Sequence, residues 1–483
     1  METRDFTQSS STPSSPDKPL PRIRILTMFR LGLFQMGLGI LTVLTVGVLN
    51  RVMITELLIP AGVTAIVLAI SQFVAPARIW FGQMSDTKPL FGYHRTGYVW
   101  IGAVLFTLIL PLNMQVVWQL GNLVEATGSW QWTTQTWGWT ALLGLLWAFY
   151  GLSICASSTP FFTLLVDISD EDNRGQLTGI VWSMMTVGLA VGGISSKVLL
   201  EPLDNVNASS DLMRSALTGL FIVVPLIVFG LALLATFGVE KKYSRYTSRS
   251  RLVDHEDEIT LGRAWKILTA SRQTGLFFSF LVVMSLSLFL QEAVLEPYGG
   301  EVFNLSIPET SMLNTYWALG MLFSLSATGF FIIPRLGKRQ TTRLGCIAVG
   351  ICFILIILAG FTGNVGLFKA TLVLFGLFTG ILTTGALSLM LDLTAAETAG
   401  TFVGAWGLAQ AMARGLAVAG GGVVLSVGKA WFETPVLSYS LVFGLQALGF
   451  LLALGLLNQV NVQEFRDNAK QAIATVMEND LDG

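Results

Sequence analysis

The chain has 483 residues, of which 53% are hydrophobic and 12% are charged, with a formal net charge of −1 and a mean hydropathy of +0.66. A soluble domain carries roughly twice this charged fraction, and the sequence lacks the short alternating segments of an outer-membrane barrel. The composition therefore excludes both classes and predicts an all-α membrane protein with several helical spans.

Twelve apolar runs are long enough to cross a hydrocarbon core of about 30 Å as helices of about 20 residues. In chain order they cover residues 29–49, 60–80, 98–118, 139–165, 175–199, 215–238, 274–295, 310–333, 342–361, 366–391, 400–426 and 435–457. We predict two six-helix halves, 26–238 and 274–458, joined by a charged cytoplasmic linker at 239–273. Residues 1–25 are rich in Ser and Pro and predict a disordered tail, and 459–483 predict a cytoplasmic C-terminal tail.

The distribution of lysine and arginine indicates how the chain crosses the membrane, because these residues concentrate in cytoplasmic loops. With the N-terminus inside, 23 of the 29 basic residues fall on the cytoplasmic side and one, Arg414, lies within a span. The five that fall outside are Arg51, Lys197, Arg214, Lys369 and Lys429. The bias predicts that both termini are cytoplasmic.

The loop after the second span reads Gly82-Gln-Met-Ser-Asp86, followed by Gly92-Tyr-His-Arg95. This pattern resembles the loop signature of the major facilitator superfamily. The glycine would let two helices approach closely, and the carboxylate could pair with a cation or a helix N-terminus. Gly82, Asp86 and Arg95 are therefore candidates for a conformational latch, and the alternative is a turn that only sets topology.

A block at the end of the fourth span recurs 225 residues later. Asp167-Ile-Ser-Asp-Glu-Asp172-Asn-Arg174-Gly175-Gln-Leu-Thr-Gly179 is matched by Asp392-Leu-Thr-Ala-Ala-Glu397-Thr-Ala-Gly400-Thr-Phe-Val-Gly404. Two parallel halves of this size are typical of a major-facilitator-type bundle of twelve transmembrane helices. Acids before a helix favour its N-terminal dipole, and the paired glycines permit helix packing. Two roles stay open, structural packing and membership of the latch, for Asp167, Arg174, Asp392 and Glu397.

Polar side chains inside the bilayer point to function, because each carries a cost that must be met. Arg414 lies about 14 residues into its span, close to mid-membrane, with Gln410 one turn earlier on the same face. The repeat offset places Leu189 at the corresponding position of the first half, so the cation is not part of the shared scaffold. Arg414 belongs either to a binding site or to a specific buried ion pair.

The seventh span ends in Gln291-Glu292-Ala-Val-Leu-Glu296-Pro297-Tyr-Gly299-Gly300. We expect Pro297 and the glycines to break the helix where Glu292 and Glu296 share one face, one turn apart. The first half supplies further polar ligand-binding candidates, namely Gln35, Asn50 and Arg51. The two histidines lie in predicted loops and the three cysteines share no metal spacing, so we expect no metal centre.

Three segments together resemble the PucC/LhaA family. They are Phe29-Arg30-Leu-Gly-Leu-Phe34-Gln35, Leu49-Asn50-Arg51-Val-Met53-Ile, and Gln291-Glu292 with Leu295-Glu296-Pro297-Tyr298-Gly299-Gly300. The resemblance runs from residue 29 into the last spans. It implies a major-facilitator fold in the inner or thylakoid membrane of a photosynthetic bacterium, and a role in assembling antenna complexes and handling chlorophyll or bacteriochlorophyll. The loop after span two is less basic than in purple-bacterial members, which favours a cyanobacterial relative.

A pigment as cargo is compatible with these residues. Magnesium accepts hard oxygen ligands, so Glu292 or Glu296 could ligate it, and membrane lipid, light-harvesting or photosystem subunits and pigment-synthesis enzymes are the expected partners, with no nucleic acid. We expect a non-enzymatic assembly factor. The alternatives are a secondary transporter of a small amphipathic solute, in which Glu292 or Glu296 carries a proton, and a pure interaction platform.

Overall fold

The computed structural model describes residues 23–169, 171–204, 210–244, 272–393 and 399–460, and nearly all of them are helical. The helices of the first half are α1 (Ile25–Thr42), α2 (Ala61–Phe73), α3 (Ala77–Thr87), α4 (Thr96–Thr127), α5 (Thr134–Ile168), α6 (Glu171–Leu200), α7 (Ser210–Thr236) and α8 (Val239–Tyr243). Those of the second half are α9 (Arg272–Phe289), α10 (Leu295–Phe303), α11 (Ile307–Ser311), α12 (Leu313–Ala327), α13 (Ile333–Leu336), α14 (Lys338–Thr362), α15 (Val365–Leu393), α16 (Ala399–Trp431) and α17 (Pro435–Gln459).

Ten helical segments in the described part of the chain are long and apolar enough to cross a membrane. This confirms a polytopic helical membrane protein. The predicted second and eighth spans are interrupted instead of continuous. Residues 60–80 divide into α2 and α3 around Pro76, whose ring nitrogen has no proton to donate. Residues 310–333 divide into α11, α12 and a π-helical turn, Thr328–Ile332.

The first span is longer than predicted, because π-helical segments at Val43–Leu49 and Val52–Glu56 continue α1 as far as Glu56. Asn50 and Arg51 therefore lie inside a buried helix and not in a loop after the first span. Single π-helical turns inside α-helices are frequent at functional sites.

Buried apolar residues form two large clusters, one for each half of the chain. The first draws on residues 23–243 together with Ile307, and the second on residues 277–460 together with Ile54, Ala61, Ala65 and Ala69. The halves touch where α2 packs on α16 and where α6 packs on α11 and α12. A cleft between two such bodies is the usual ligand position in this type of bundle.

The bundle has two ends, each marked by a buried arginine. The Arg51 end contains Arg51, Glu56 and the C-terminus of α10, and the Arg95 end contains Arg95 and the N-terminus of α4. Contacts between the halves include several at the Arg51 end. Ser311 donates to the carbonyl of Gly193 at 3.3 Å, and Thr315 donates to that of Ala190 at 3.1 Å.

Glycines outside the repeated block allow some helices to pack closely. A Cβ added at Gly188 would collide with the backbone of Met36, and one at Gly376 would collide with the backbone of Trp317. Gly179 differs, because a Cβ there would meet none of the described atoms within 4 Å. The described residues therefore show no packing role for Gly179.

Candidate functional site

Asn50 and Arg51 join the first half to the broken seventh span. Asn50 Nδ2 donates to the backbone carbonyl of Ala293 at 2.9 Å. Arg51 Nη1 donates to the carbonyl of Leu305 at 3.0 Å, and its Nη2 pairs with Glu56 Oε1 at 3.0 Å. The bonds to Ala293 and Leu305 bridge the first span to the segments on both sides of α10, so they hold the two halves together at the Arg51 end.

The seventh span breaks earlier than predicted. A 3₁₀ turn at Leu290–Ala293 follows α9, Val294 has φ −126° and ψ −15°, and α10 then begins at Leu295. Pro297 and Gly299 lie inside α10, so the expectation that they end the helix is wrong. Pro297 is tolerated because the first N–H groups of a helix have no intrahelical partner. Glu292 and Glu296 therefore belong to different helical pieces.

Glu292 is paired with Arg414. Arg414 Nε lies 2.8 Å from Glu292 Oε2, and the Phe289 ring packs against the guanidinium at 5.1 Å from its centroid. The two side chains remain 25% and 16% exposed, so the pair faces the space between the helices.

Glu296 has a different environment from Glu292. It is 2% exposed, and its Oε1 accepts a hydrogen bond from Asn314 Nδ2 at 2.6 Å. Gly47 of the first span lies against this pair, since a Cβ there would be 3.1 Å from Asn314 Nδ2 and 3.4 Å from Glu296 Oε1. The pair is thus enclosed between the two halves, out of reach of a large ligand.

The remaining ligand-binding candidates are three glutamines. Gln291 lies in the 3₁₀ turn, Gln35 is buried on α1, and Gln410 is partly buried on α16, one turn before Arg414. Gln72, on α2, packs against Gly415. The structure therefore brings together around the break Asn50, Gln291, Glu292, Glu296 and Arg414.

The latch candidates Asp86, Arg95 and Asp167 form an ionic cluster at the Arg95 end. Arg95 Nη1 lies 2.5 Å from Asp86 Oδ1, and its Nε lies 2.9 Å from Asp167 Oδ2. Burial by itself lowers the pKa of the Arg95 guanidinium, but the carboxylates of Asp167 and Asp86 outweigh burial and raise that pKa above its ordinary value. Arg95 therefore remains a cation that links the loop after α3 to the end of α5.

Gly82 does not provide a close helix approach, since a Cβ there would lie 3.7 Å from Thr159 Cγ2, an ordinary contact. Its role in the latch stays a prediction. The side chains of Arg174 and Asp392 and the whole of Glu397 lie outside the described part of the structure.

Sequence reasoning missed several residues of these sites. Glu240, assigned to the linker, lies on α8 and accepts backbone N–H groups of His94 at 2.6 Å and Thr96 at 2.7 Å. Asn314, the partner of Glu296, lies in an apolar span with no pattern to mark it. Glu301 pairs with Lys429 at 2.7 Å, which joins α10 to α16.

The chain is similar to one known protein family along most of its length. Its sequence matches the profile of the PUCC protein family over residues 48–465. It is 29% identical over 443 residues to a protein of Rhodobacter capsulatus named bacteriochlorophyll synthase 44.5 kDa chain, covering 89% of this chain and 94% of that one. It is 27% identical over 444 residues to protein PucC of Cereibacter sphaeroides, covering 90% and 92%.

The fold is similar to those of solved transporters. A bacterial homologue of the iron transporter ferroportin, in an inward-facing state, superposes with a TM-score of 0.66 at 14% identity over 91% of this chain and 99% of that one. The nucleoside transporter NupG gives a TM-score of 0.64 at 13% identity over 90% and 98%. Both likenesses show that the chain shares the fold of these two transporters.

Proposed function

The chain belongs to the PUCC protein family, and from that membership we propose that it is an integral membrane factor for assembling photosynthetic complexes. In this proposal it binds chlorophyll or bacteriochlorophyll and delivers it to light-harvesting or photosystem proteins. The bacteriochlorophyll-related name of one relative supports a link to this pigment. The delivery step is non-enzymatic, because the cargo changes its protein environment without a change in its bonds.

The observation that carries the pigment proposal is the Glu292–Arg414 pair at the break of the seventh span. The two residues are partly exposed, and their bond joins only Nε and Oε2. The other carboxylate oxygen can approach the magnesium of a chlorin, because magnesium favours oxygen ligands. The guanidinium can donate to the carbonyl groups on the rim of the macrocycle. The enclosed position of Glu296 makes Glu292 the better ligand candidate.

Pigment analysis of the purified protein tests this proposal. The full chain is purified from its native membrane in mild detergent, and bound pigment is extracted and separated by chromatography. We expect chlorophyll or bacteriochlorophyll in the wild-type preparation and at least a roughly tenfold loss in Glu292→Leu, the effect of about 1.4 kcal/mol in binding. The matched control is Glu301→Leu, another acid of the same region, paired with Lys429. Wild-type protein that folds and carries no pigment above the control membrane preparation contradicts the proposal.

We also propose the finer architecture. The protein forms twelve transmembrane helices in two six-helix halves at 26–238 and 274–458, with both termini in the cytoplasm and a cytoplasmic linker between the halves. The membrane is a bacterial inner membrane or thylakoid, and the sparsely basic loop after the second span favours a cyanobacterial member. Two separate buried clusters and the Lys/Arg bias support this arrangement.

A second candidate function is secondary transport of a small amphipathic solute coupled to protons. The transporter-like fold and the Glu292–Arg414 pair across a helix break favour it, because such pairs can exchange a proton for a substrate contact. Solute-driven proton uptake by the protein in liposomes is the measurement that separates the two. Transport without bound pigment favours the transporter, and pigment without transport favours the assembly factor.

A further inference from the structure

The break between α9 and α10 gathers polar oxygens that the pigment proposal does not use. The 3₁₀ turn ends the regular hydrogen bonding of α9, and the carbonyl of Ala293 takes its donor from Asn50 in the other half. In membrane proteins, unwound backbone of this kind is tolerated where it lines a cavity or is buried in protein.

Three side-chain oxygens at this break have no hydrogen-bond donor among the described residues. They are Asn50 Oδ1, Gln291 Oε1 and Glu296 Oε2. Asn50 is 0% exposed and Glu296 is 2% exposed, so both are far more than nine-tenths buried. A buried acceptor without a donor costs about 1–3 kcal/mol, and an ionised carboxylate costs more.

The contacts of the first span place Asn50 and Glu296 on neighbouring turns of one interface. Asn50 binds Ala293, three residues before Glu296, and Gly47, three residues before Asn50, lies against the Glu296 carboxylate. Asn314 occupies only Oε1 of that carboxylate, so Oε2 is available on the same interface.

A proton, a protein cation and a metal ion would each satisfy a different number of these three oxygens. A proton on Glu296 provides one O–H donor, which serves one of the two amide oxygens and leaves the other without a donor. Arg51 is a cation close to α10, since its guanidinium packs against Gly300. Its Nη1 and Nη2 are held by Leu305, Thr310 and Glu56. Its Nε lacks a partner among the described residues and is the rival donor for Glu296. A metal cation takes several oxygen ligands, so a single ion can satisfy more than one of these acceptors.

The charge count favours a monovalent ion. One carboxylate neutralises one positive charge, whereas Ca²⁺ usually takes six to eight oxygens with more carboxylates, and Mg²⁺ keeps several waters. Unwound carbonyls and half-helix ends bind Na⁺ in other membrane proteins with broken helices. We propose that the break between α9 and α10 binds Na⁺ through Glu296, Asn50 and Gln291, and so stabilises the contact between the two halves.

The test measures the thermal stability of the purified full chain, since an ion that binds only the folded protein raises its melting temperature. Unfolding is followed by tryptophan fluorescence in NaCl, KCl and choline chloride at equal ionic strength and pH. We expect a saturable rise of about 2 °C or more that is specific to NaCl. Glu296→Gln and Asn50→Ala should lose most of the rise, while Glu301→Gln on the same helix as Glu296 should keep it.

Binding of radioactive sodium ion to wild type and Glu296→Gln gives a second readout that is independent of unfolding, should Asn50→Ala fail to fold. Equal wild-type stability in the three salts overturns the proposal. So does a full NaCl effect in Glu296→Gln. A stability change that depends on pH and on Glu296 but not on Na⁺ also overturns it and assigns the position to a proton. These results are separable from the pigment assay, because that assay depends on Glu292.

Discussion

Asn50 Nδ2 donates to the backbone carbonyl of Ala293 at 2.9 Å and so ties the first transmembrane span to the break in the seventh. The two residues are 243 positions apart in the chain. The carbonyl that a helix break would leave without a donor is satisfied from the opposite half. The break and the contact between the halves are therefore one structural feature.

Removing this amide should destabilise the contact between the halves. In Asn50→Ala the Ala293 carbonyl loses its buried donor, at a cost of about 1–3 kcal/mol. We expect a lower melting temperature for the purified variant. Asn122→Ala is the control, because Asn122 is exposed on α4. An unchanged melting temperature for Asn50→Ala would show that the bond is not needed for the closed interface.

Replacing Arg414 should impair expression, stability and pigment content more than replacing Lys429, the other cation of α16. Arg414→Leu leaves Glu292 without its cation in a partly buried position within a span, where an unpaired charge is costly. Lys429→Leu is a matched control, since Lys429 also lies on α16 and pairs with an acid of the seventh span, but at the more exposed end. Lys429 is 36% exposed, against 25% for Arg414, so we expect the smaller loss from Lys429→Leu. Expression, melting temperature and pigment content are measured, and equal behaviour of the two variants refutes the distinction.

The Glu292 variants distinguish magnesium ligation from proton coupling. Gln keeps the shape and one oxygen ligand but cannot titrate, whereas Leu removes both. If the side chain ligates magnesium, Glu292→Gln should retain pigment and Glu292→Leu should release it. If it carries a proton, both variants should lose transport equally. Full function in Glu292→Leu and Glu296→Leu would reject both mechanisms and favour the interaction platform.

The stability of the protein should depend on Arg95, the central cation of the ionic cluster at the Arg95 end. Arg95→Gln removes the positive charge between Asp86 and the buried Asp167, so we expect a loss of stability of roughly 3–5 kcal/mol or failure to accumulate. Asp86→Asn should cost about 1 kcal/mol or less, because Asp86 is half exposed. Protein yield and melting temperature are compared. A larger effect from Asp86→Asn than from Arg95→Gln would contradict this ranking.

The proposed topology can be tested by cysteine labelling, because the three native cysteines are buried. Single cysteines at Glu125 and Thr362, both exposed at the Arg51 end, should react with an impermeant reagent added to intact cells. Cysteines at Lys88 and Gln340, exposed at the opposite end, should react only after the cells are opened. Reaction of the Lys88 site in sealed cells would reverse the assigned orientation.

Much of the architecture could be read from the sequence, because a bilayer imposes long apolar helices on any chain that crosses it. The confirmed conclusions are the helical membrane class and the family. The latter depended on local motifs such as Leu49-Asn50-Arg51-Val-Met53 and Leu295-Glu296-Pro297-Tyr298. These features are local in the chain, so periodicity and short motifs were enough to find them.

The pairing of polar groups was decided only by tertiary structure. The sequence placed Arg414 in a span and left it open between a site and an ion pair, and its pairing with Glu292 spans 122 positions. The sequence also placed Glu292 and Glu296 as equals on one face, but the 3₁₀ turn directs one toward Arg414 and the other toward Asn314. Such partners are chosen by helix packing between distant segments, because a buried charge must be matched by whichever groups the fold brings to it.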